Sequence, residues 1–334
     1  MAGQDSGGCK LNRTHNLSSS AAASKALAVV GATASGKSAV ALAIARRHGR
    51  CEIISVDSMQ VYRHMDIGTD KPTAEIRAEV PHHLIDVVDP SQDYSLVKFQ
   101  AAAQQARAQI CGSAALALLV GGTGLYHRAV IDNLSIPRQY PHIKAELQEE
   151  PNTLVLHSRL AALDPIAAAR MEPTNRRRII RALEVTLGSG QCFSAYGPGL
   201  GEYPPSNVTQ VGLRLERAEL DRRIQKRYER QLDAGFLAEV KALLERPDPL
   251  SRTASQALGY KELIAHLNGA MSLDEAVSLA ITRTKRFARR QERWFRRDPR
   301  ICWVDAKAAP EELAARCVRL AEEQCNKEQR KHAC

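Results

Sequence analysis

The sequence predicts an α/β protein with a parallel sheet, interrupted by an inserted helical domain and followed by basic helices. Three observations carry this prediction. Short apolar runs at 26–30, 52–56 and 114–120 alternate with helix-like runs, the rhythm of βαβ units. The turn after the first run, Gly31-Ala-Thr-Ala-Ser-Gly-Lys-Ser38, fits G-x-x-x-x-G-K-[ST] between a strand and a helix. From Ala129 to Asn207 the rhythm stops, and 209–215 then returns as a strand.

The turn is a P-loop. Its glycines, Gly31 and Gly36, let backbone N–H groups converge on phosphate oxygens, and the helix N-terminus adds partial positive charge. Ala32, Thr33, Ala34 and Ser35 complete the loop backbone; Lys37 can reach the outer phosphate and the Ser38 hydroxyl can hold Mg²⁺. The motif is that of ATP-binding and other nucleotide-binding proteins. It does not say which phosphate compound binds or whether a phosphoryl group moves.

The remaining elements follow in order. The helix after the P-loop spans 37–48, ended by Gly49. The strand at 52–56 ends on Asp57-Ser58, at the carboxyl edge where doubly wound folds bind ligands. Asp57 is thus either a group facing the phosphates or a cap or turn residue. Residues 68–72 form a polar loop and 81–90 hold a short strand, in which His82 and His83 face opposite sides and read as structural. A helix at 96–110 leads to the strand at 114–120 and to Gly121-Gly-Thr-Gly-Leu-Tyr126. No Asp stands at that strand end to act as a Walker B carboxylate, which disfavours motor and switch ATPases. Thr123 can face the same crevice as Asp57.

Helices are expected at 160–169 and 176–187, then a Gly/Pro-rich connection at 188–206. Arg176, Arg177, Arg178 and Arg181 form either a solvated basic face or a binding face. Helices at 220–244, 255–267 and 272–297 follow, then a strand at 301–304 and a helix at 311–327. The domains are therefore a tail at 1–24, a core at 25–128 and 208–310, an insertion at 129–207, and a C-terminal helix and tail at 311–334.

The helix at 272–297 is the clearest amphipathic element. Val277, Ala280, Ile281, Thr284, Phe287, Ala288, Gln291, Trp294 and Phe295 share one half of the wheel. Arg283, Lys285, Arg286, Arg289, Arg290, Arg293, Arg296 and Arg297 occupy the other, with Glu292 the one acid between Thr282 and Arg297. Solvated faces usually mix charge signs, so a phosphate backbone is the better partner for this row. A net charge of +10 also exceeds what a small phosphate ligand requires.

Eight scattered cysteines form no C-x-x-C or zinc spacing, and no secretory signal or membrane-length apolar run stands out. Reduced thiols, a cytoplasmic location and no membrane partner are the resulting expectations; a monomer is expected by default, since nothing in the sequence reveals the oligomeric state.

Taken in order, Gly31–Ser38, Ser55-Val-Asp-Ser58, Asp66-Ile-Gly-Thr-Asp-Lys-Pro72, the 81–90 segment, Gly121–Tyr126, Arg181-Ala-Leu-Glu184, Gly259-Tyr-Lys261 and the basic helix before Trp294 resemble the tRNA dimethylallyltransferases. The resemblance runs from about residue 26 to 305. It implies a P-loop kinase-like core and transfer of a dimethylallyl group from dimethylallyl diphosphate to N6 of the adenosine 3′ to the tRNA anticodon (position 37). It implies that Gly31–Ser38 hold the diphosphate with Mg²⁺, that Asp57 is the general base and that Thr123, its catalytic partner, contacts the reacting nucleotide. It further implies tRNA anticodon stem-loop contacts at Asp57, Ser58, Met59, Gln60 and Thr123, at Lys144, at Thr174, Asn175, Arg176, Arg177 and Arg178, and at Gln256, Ala257, Leu258, Gly259, Tyr260 and Lys261. Arg286, Arg290 and Arg293 add the basic grip. The sequence departs from the family pattern at Ala32, Ser38, Asp70, Lys144 and Thr174–Arg178 without removing a required chemical group. Competing readings are an adenylate isopentenyltransferase, a small-metabolite kinase and a non-catalytic RNA-binding protein.

Overall fold

The computed structural model describes residues 26–197 and 199–332, with side chains described to residue 324. The tail expected at 1–24 lies outside the described residues. Six strands form one all-parallel sheet in the order β3-β2-β4-β1-β5-β6. They are β1 (Ala26–Gly31), β2 (Cys51–Ser55), β3 (His82–His83), β4 (Leu116–Gly121), β5 (Val208–Arg214) and β6 (Ile301–Asp305). All six residues of β1 and of β4 are buried, as expected of central parallel strands covered on both faces. Register sets the site: Val30 pairs with Gly121 and Ser55 with Val120, so the ends of β1, β4 and β2 lie level.

Among the described residues, fourteen α-helices surround and extend this sheet. The first four are α1 (Lys37–His48), α2 (Ala74–Glu79), α3 (Leu96–Gly112) and α4 (Gly124–Ile131). Next come α5 (Pro141–Glu149), α6 (Thr153–Leu163), α7 (Pro165–Ala169) and α8 (Arg176–Ser189). After β5 the chain forms α9 (Arg217–Asp233), α10 (Phe236–Leu244), α11 (Arg252–Ser255), α12 (Tyr260–Leu267), α13 (Leu273–Phe295) and α14 (Pro310–His332).

Three expected helices are broken. The expected 160–169 helix is the end of α6 plus α7, divided at Asp164. That carboxylate caps α7 through Ala167 N–H (3.0 Å) and also accepts from Ser194 N–H (2.8 Å), with Pro165 at the first helical position. The expected 220–244 helix divides at Gly235, whose φ of 96° is the left-handed value that ends helices. The expected 255–267 helix is helical only from Tyr260: Ser255 ends α11, residues 256–259 form a turn, and Gly259 at φ 86° opens α12.

The insertion encloses its own apolar cluster, with Leu147, Leu156, Leu160, Ile179 and Leu183 at its centre. The C-terminal helix is part of the main core, not an appendage: Leu313, Ala314 and Cys317 are buried there, and α14 packs along α1. No helix among the described residues is long and apolar enough to cross a membrane.

Candidate functional site

A cleft of about 670 Å³ opens at the carboxyl ends of β1, β2 and β4. Its polar wall holds Lys37, Ser38, Asp57 and Gln60, and four cations of α9: Arg223, Lys226, Arg227 and Arg230. Apolar lining comes from Leu42, Ile53, Ile76 and Val120.

The P-loop adopts the shape its glycines permit. Gly36 sits at φ 93° as the cap of α1, and Ala34 also takes a positive φ of 63°. A Cβ on Gly31 would lie 2.7 Å from Leu213 O of β5, so no side chain fits there. Lys37 folds back under its own loop, and its ammonium donates to Ala32 O at 2.7 Å. Burial pushes its pKa down to about 8; Asp57 offsets part of that and Arg227 adds repulsion. A bound polyanion would restore the missing counter-charge.

Asp57 follows β2. One carboxylate oxygen accepts from Met59 N–H at 2.8 Å, closing an Asx turn. The two readings left open for this residue therefore coincide: it is a turn residue and it lines the cleft. Thr123 lies beside it, not on the cleft wall: its hydroxyl accepts from Ser58 N–H at 3.3 Å. Gln60 is held by Ser55 Oγ (2.7 Å) and donates to Thr69 O (3.1 Å), tying the Asp57 turn to the 66–72 loop.

That loop is shaped from below by Glu239 of α10, whose carboxylate accepts from the N–H groups of Asp66 (2.8 Å), Ile67 (2.7 Å) and Gly68 (3.1 Å) and from Tyr260 Oη (2.6 Å). Three backbone donors on one carboxylate make a strong anchor. Gly68 must lack a side chain, since a Cβ would lie 2.2 Å from the Phe236 ring. Arg227 closes the cleft over the loop, donating to Thr33 Oγ1 at 3.0 Å and approaching Asp70 at 3.6 Å.

The glycines of Gly121-Gly-Thr-Gly124 each permit a different close approach. A Cβ on Gly121 would lie 2.0 Å from Val56 O, one on Gly122 2.4 Å from Gln291 Nε2, and one on Gly124 2.1 Å from Trp294. Trp294 and Phe295 are packing residues: the first seats on Gly124, and the second is buried edge-on to His127 at 5.8 Å.

The structure divides the expected nucleic-acid contacts. Lys144, Thr174, Arg177, Arg178, Gln256 and Lys261 are exposed; Asn175 and Leu258 are half-buried. Asn175 Oδ1 caps α8 through Arg178 N–H. Arg176 is spent within the insertion, donating to Gln148 O (3.0 Å) and Pro151 O (3.3 Å). Ala257, Gly259 and Tyr260 are buried, and Tyr260 supports the 66–72 loop through Glu239. On α13 the row of cations is not wholly unpaired: Arg283 pairs with buried Glu262, and Arg296 with Glu292 at 2.6 Å. Arg286, Arg290 and Arg293 are exposed and make no ion pair among the described residues; Arg290 lies over the Phe287 ring at 5.7 Å.

Two features escaped the sequence reading. Arg222, Arg223, Lys226, Arg227 and Arg230 crowd one stretch of sequence, but only packing turns Arg223 and Arg227 toward the P-loop. Gln291 was placed on the apolar half of its helix, and a polar residue at such a position was the available signal.

The IPP transferase family model matches residues 60–298, and an isopentenyl transferase model matches residues 24–81. A tRNA dimethylallyltransferase of Kineococcus radiotolerans is 46% identical over 304 residues, covering 88% of this chain and 95% of that one. Its counterpart in Streptomyces coelicolor is 44% identical over 296 residues, covering 88% and 94%. The crystal structure of the full-length tRNA isopentenylpyrophosphate transferase of Bacillus halodurans superposes with a TM-score of 0.67 at 37% identity, covering 92% of this chain and 99% of that one. A eukaryotic dimethylallyltransferase acting on tRNA superposes with a TM-score of 0.70 at 26% identity, covering 84% and 74%.

Proposed function

The chain belongs to the tRNA dimethylallyltransferase family, and from that premise we propose that it transfers a dimethylallyl group from dimethylallyl diphosphate to N6 of the adenosine 3′ to the anticodon of tRNA. The observation that supports this most directly is the sharing of one cleft by Lys37 and Asp57, with Thr123 adjoining. A phosphate-binding loop alone serves many reactions; a carboxylate at its mouth serves an acceptor that must lose a proton.

In the transfer, the N6–C1 bond forms as the C1–O bond to diphosphate breaks. The N6 lone pair is delocalised into the ring, so the amine is a weak nucleophile. Asp57 accepts a hydrogen bond from it and then its proton as the new bond develops. Thr123, beside the Asp57 turn, orients the acceptor. Lys37, the P-loop N–H groups, Arg223 and Arg227 neutralise the charge that builds on the departing diphosphate. Leu42, Ile53, Ile76 and Val120 offer the apolar wall against which a five-carbon chain excludes water.

The donor set also fits Mg²⁺. The Ser38 hydroxyl lines the cleft beside Lys37, and oxygen is what this hard cation takes; no cluster of three acids or histidines among the described residues competes as a separate cage. Ser38 would hold it together with the diphosphate oxygens. When bound, the ion supplies charge neutralisation of the leaving group.

Access to a base within a folded tRNA loop requires it to be unstacked and inserted. The exposed Arg286, Arg290 and Arg293 can hold the phosphate backbone while that happens. A cytoplasmic location accords with such a substrate. The test is incubation with labelled dimethylallyl diphosphate, ATP, AMP and unmodified tRNA, followed by identification of the labelled product. Prenylated adenosine in tRNA is the expected result. A prenylated mononucleotide or a phosphorylated metabolite would overturn the reading.

A further inference from the structure

The helix that carries the cationic face also carries a buried amide. Gln291 of α13 is 7% exposed. Its Oε1 accepts from Thr33 N–H at 2.9 Å, and its Nε2 donates to Gly122 O at 2.7 Å. The bonds reach across 258 and 169 residues of chain. The first is to the P-loop and the second to the turn that carries Thr123. The β1–β4 ladder ends at the pair Val30–Gly121. Past that rung the two strands diverge into these turns, and the Gln291 side chain bridges them with one donor and one acceptor.

Other features fit a bridge of defined length. The φ of Gly122 is not positive, so its own backbone does not demand glycine, yet a Cβ would lie 2.4 Å from Gln291 Nε2 and 3.2 Å from Gly31 O. Three residues further on, Trp294 seats on Gly124. The inner edge of α13 is therefore keyed to the Gly121–Gly124 turn at two points. A side chain needed only to fill this space would be apolar, because a buried amide must find partners for both its ends. Gln291 has found both, one on each side of the divide between leaving group and acceptor.

We propose that Gln291 is a positioning residue for prenyl transfer: its amide sets the span between the loop that holds the diphosphate and the turn that carries Thr123 beside Asp57. It touches no reacting atom. Its effect is on the distance and angle at which the acceptor amine meets the allylic carbon. Displacement of about 1 Å in such an arrangement costs on the order of 10²-fold in rate. The inference rests on the prenyl-transfer reading above.

The experiment uses the full chain, dimethylallyl diphosphate and an unmodified tRNA anticodon stem-loop. Q291L removes both bonds at similar volume; Q291E keeps the acceptor for Thr33 N–H but loses the donor to Gly122 O. Each substrate should bind either variant within about threefold of the wild type, while the single-turnover rate at saturation falls roughly 10- to 100-fold. A cycle with G122A gives a second measurement that does not depend on Q291L folding well. Gly122→Ala should slow transfer by itself, because its Cβ displaces the amide. In the Q291A background it should add much less, because the amide it collides with is gone and only the 3.2 Å approach to Gly31 O remains.

The outcomes separate cleanly. Absence of transfer by the wild type overturns the functional reading and this inference with it. Transfer by the wild type together with an unimpaired saturating rate in Q291L overturns the inference alone. Equal weakening of both substrates with a lowered melting temperature and an unchanged saturating rate assigns Gln291 to ordinary packing and overturns it too. Additive losses in the G122A–Q291A cycle would do the same.

Discussion

At the scale of single residues, the roles proposed for Asp57 and Lys37 each have a distinct signature. Asp57→Asn keeps the size and the acceptor that closes the turn with Met59 N–H but removes the base. Single-turnover transfer should fall roughly 10²–10⁴-fold, the range of general-base catalysis, with both substrates still bound. Near-wild-type chemistry at saturation would assign Asp57 to the turn alone. In its proposed role, Lys37 should make diphosphate affinity depend on pH. Its pKa of about 8 means that the ammonium is present below that pH and lost above it. Diphosphate binding should therefore be flat to about pH 7 and weaken through and above 8, approaching about tenfold per unit. Titration of dimethylallyl diphosphate from pH 6.5 to 9.5 measures this, and Lys37→Ala should remove both the step and most of the affinity. Buried His127 acts on stability instead. Burial pushes its pKa down to about 4, so the unfolded chain takes up a proton between pH 6.5 and 4 that the folded chain refuses. Its contribution is whole above pH 6.5 and declines as the pH falls toward 4, by at most about 3 kcal/mol. Urea midpoints at pH 7 and 5 should differ less in His127→Gln.

At the scale of elements, α13 separates into exposed cations proposed to hold tRNA and cations paired with acids of the fold. Removing the charge of Arg286, Arg290 and Arg293 together should weaken tRNA binding across sequences. The log–log salt slope should flatten by about one unit per lost phosphate contact, with dimethylallyl diphosphate affinity unchanged. An unaltered slope would assign that face to solvent. Arg283→Ala should do the reverse. It strips the ion-pair partner from Glu262, a carboxylate nearly without exposure that keeps only its bond from Gly259 N–H, and should cost on the order of 2 kcal/mol of stability while leaving the salt slope alone. Denaturant melts beside salt-dependent binding on the same two proteins distinguish these roles.

At the scale of the whole molecule, the insertion is joined to the core by a buried charge network. Arg128 and Arg300 both contact Asp132, and Arg300 also pairs with Asp298 at 2.6 Å. Both guanidiniums stack on Tyr203 of the returning chain, at 4.4 and 5.6 Å. They also donate to backbone carbonyls there, Arg128 to Glu202 O at 2.6 Å and Arg300 to Pro204 O at 2.6 Å. Arg300→Met would leave Asp298 and part of Asp132 uncompensated in a place nearly without water. The expected loss is about 3–5 kcal/mol, the usual result of removing one partner of a buried pair. Hydrogen exchange should rise across 200–206 before it rises in β1. Uniform exchange across both regions would show that the network does not hold the junction.

What the sequence determined by itself was local and periodic. The P-loop was legible because its chemistry requires Gly31, Gly36, Lys37 and Ser38 at fixed spacing in one continuous stretch. Buried parallel strands were legible because both faces of β1 and β4 must be apolar, and α13 because one side of a helix must be. Helix ends were less so: Gly235, Gly259 and Asp164-Pro165 were present as signals, but each competes with strong helical periodicity on either side. The tertiary structure alone decided which side chains meet. That Arg227 reaches Thr33, that Glu239 gathers three N–H groups of a loop about 170 residues away, and that Gln291 joins two turns across the sheet leave no local pattern. Such partners are chosen by strand order and register, which depend on the packing of the entire core rather than on any one segment.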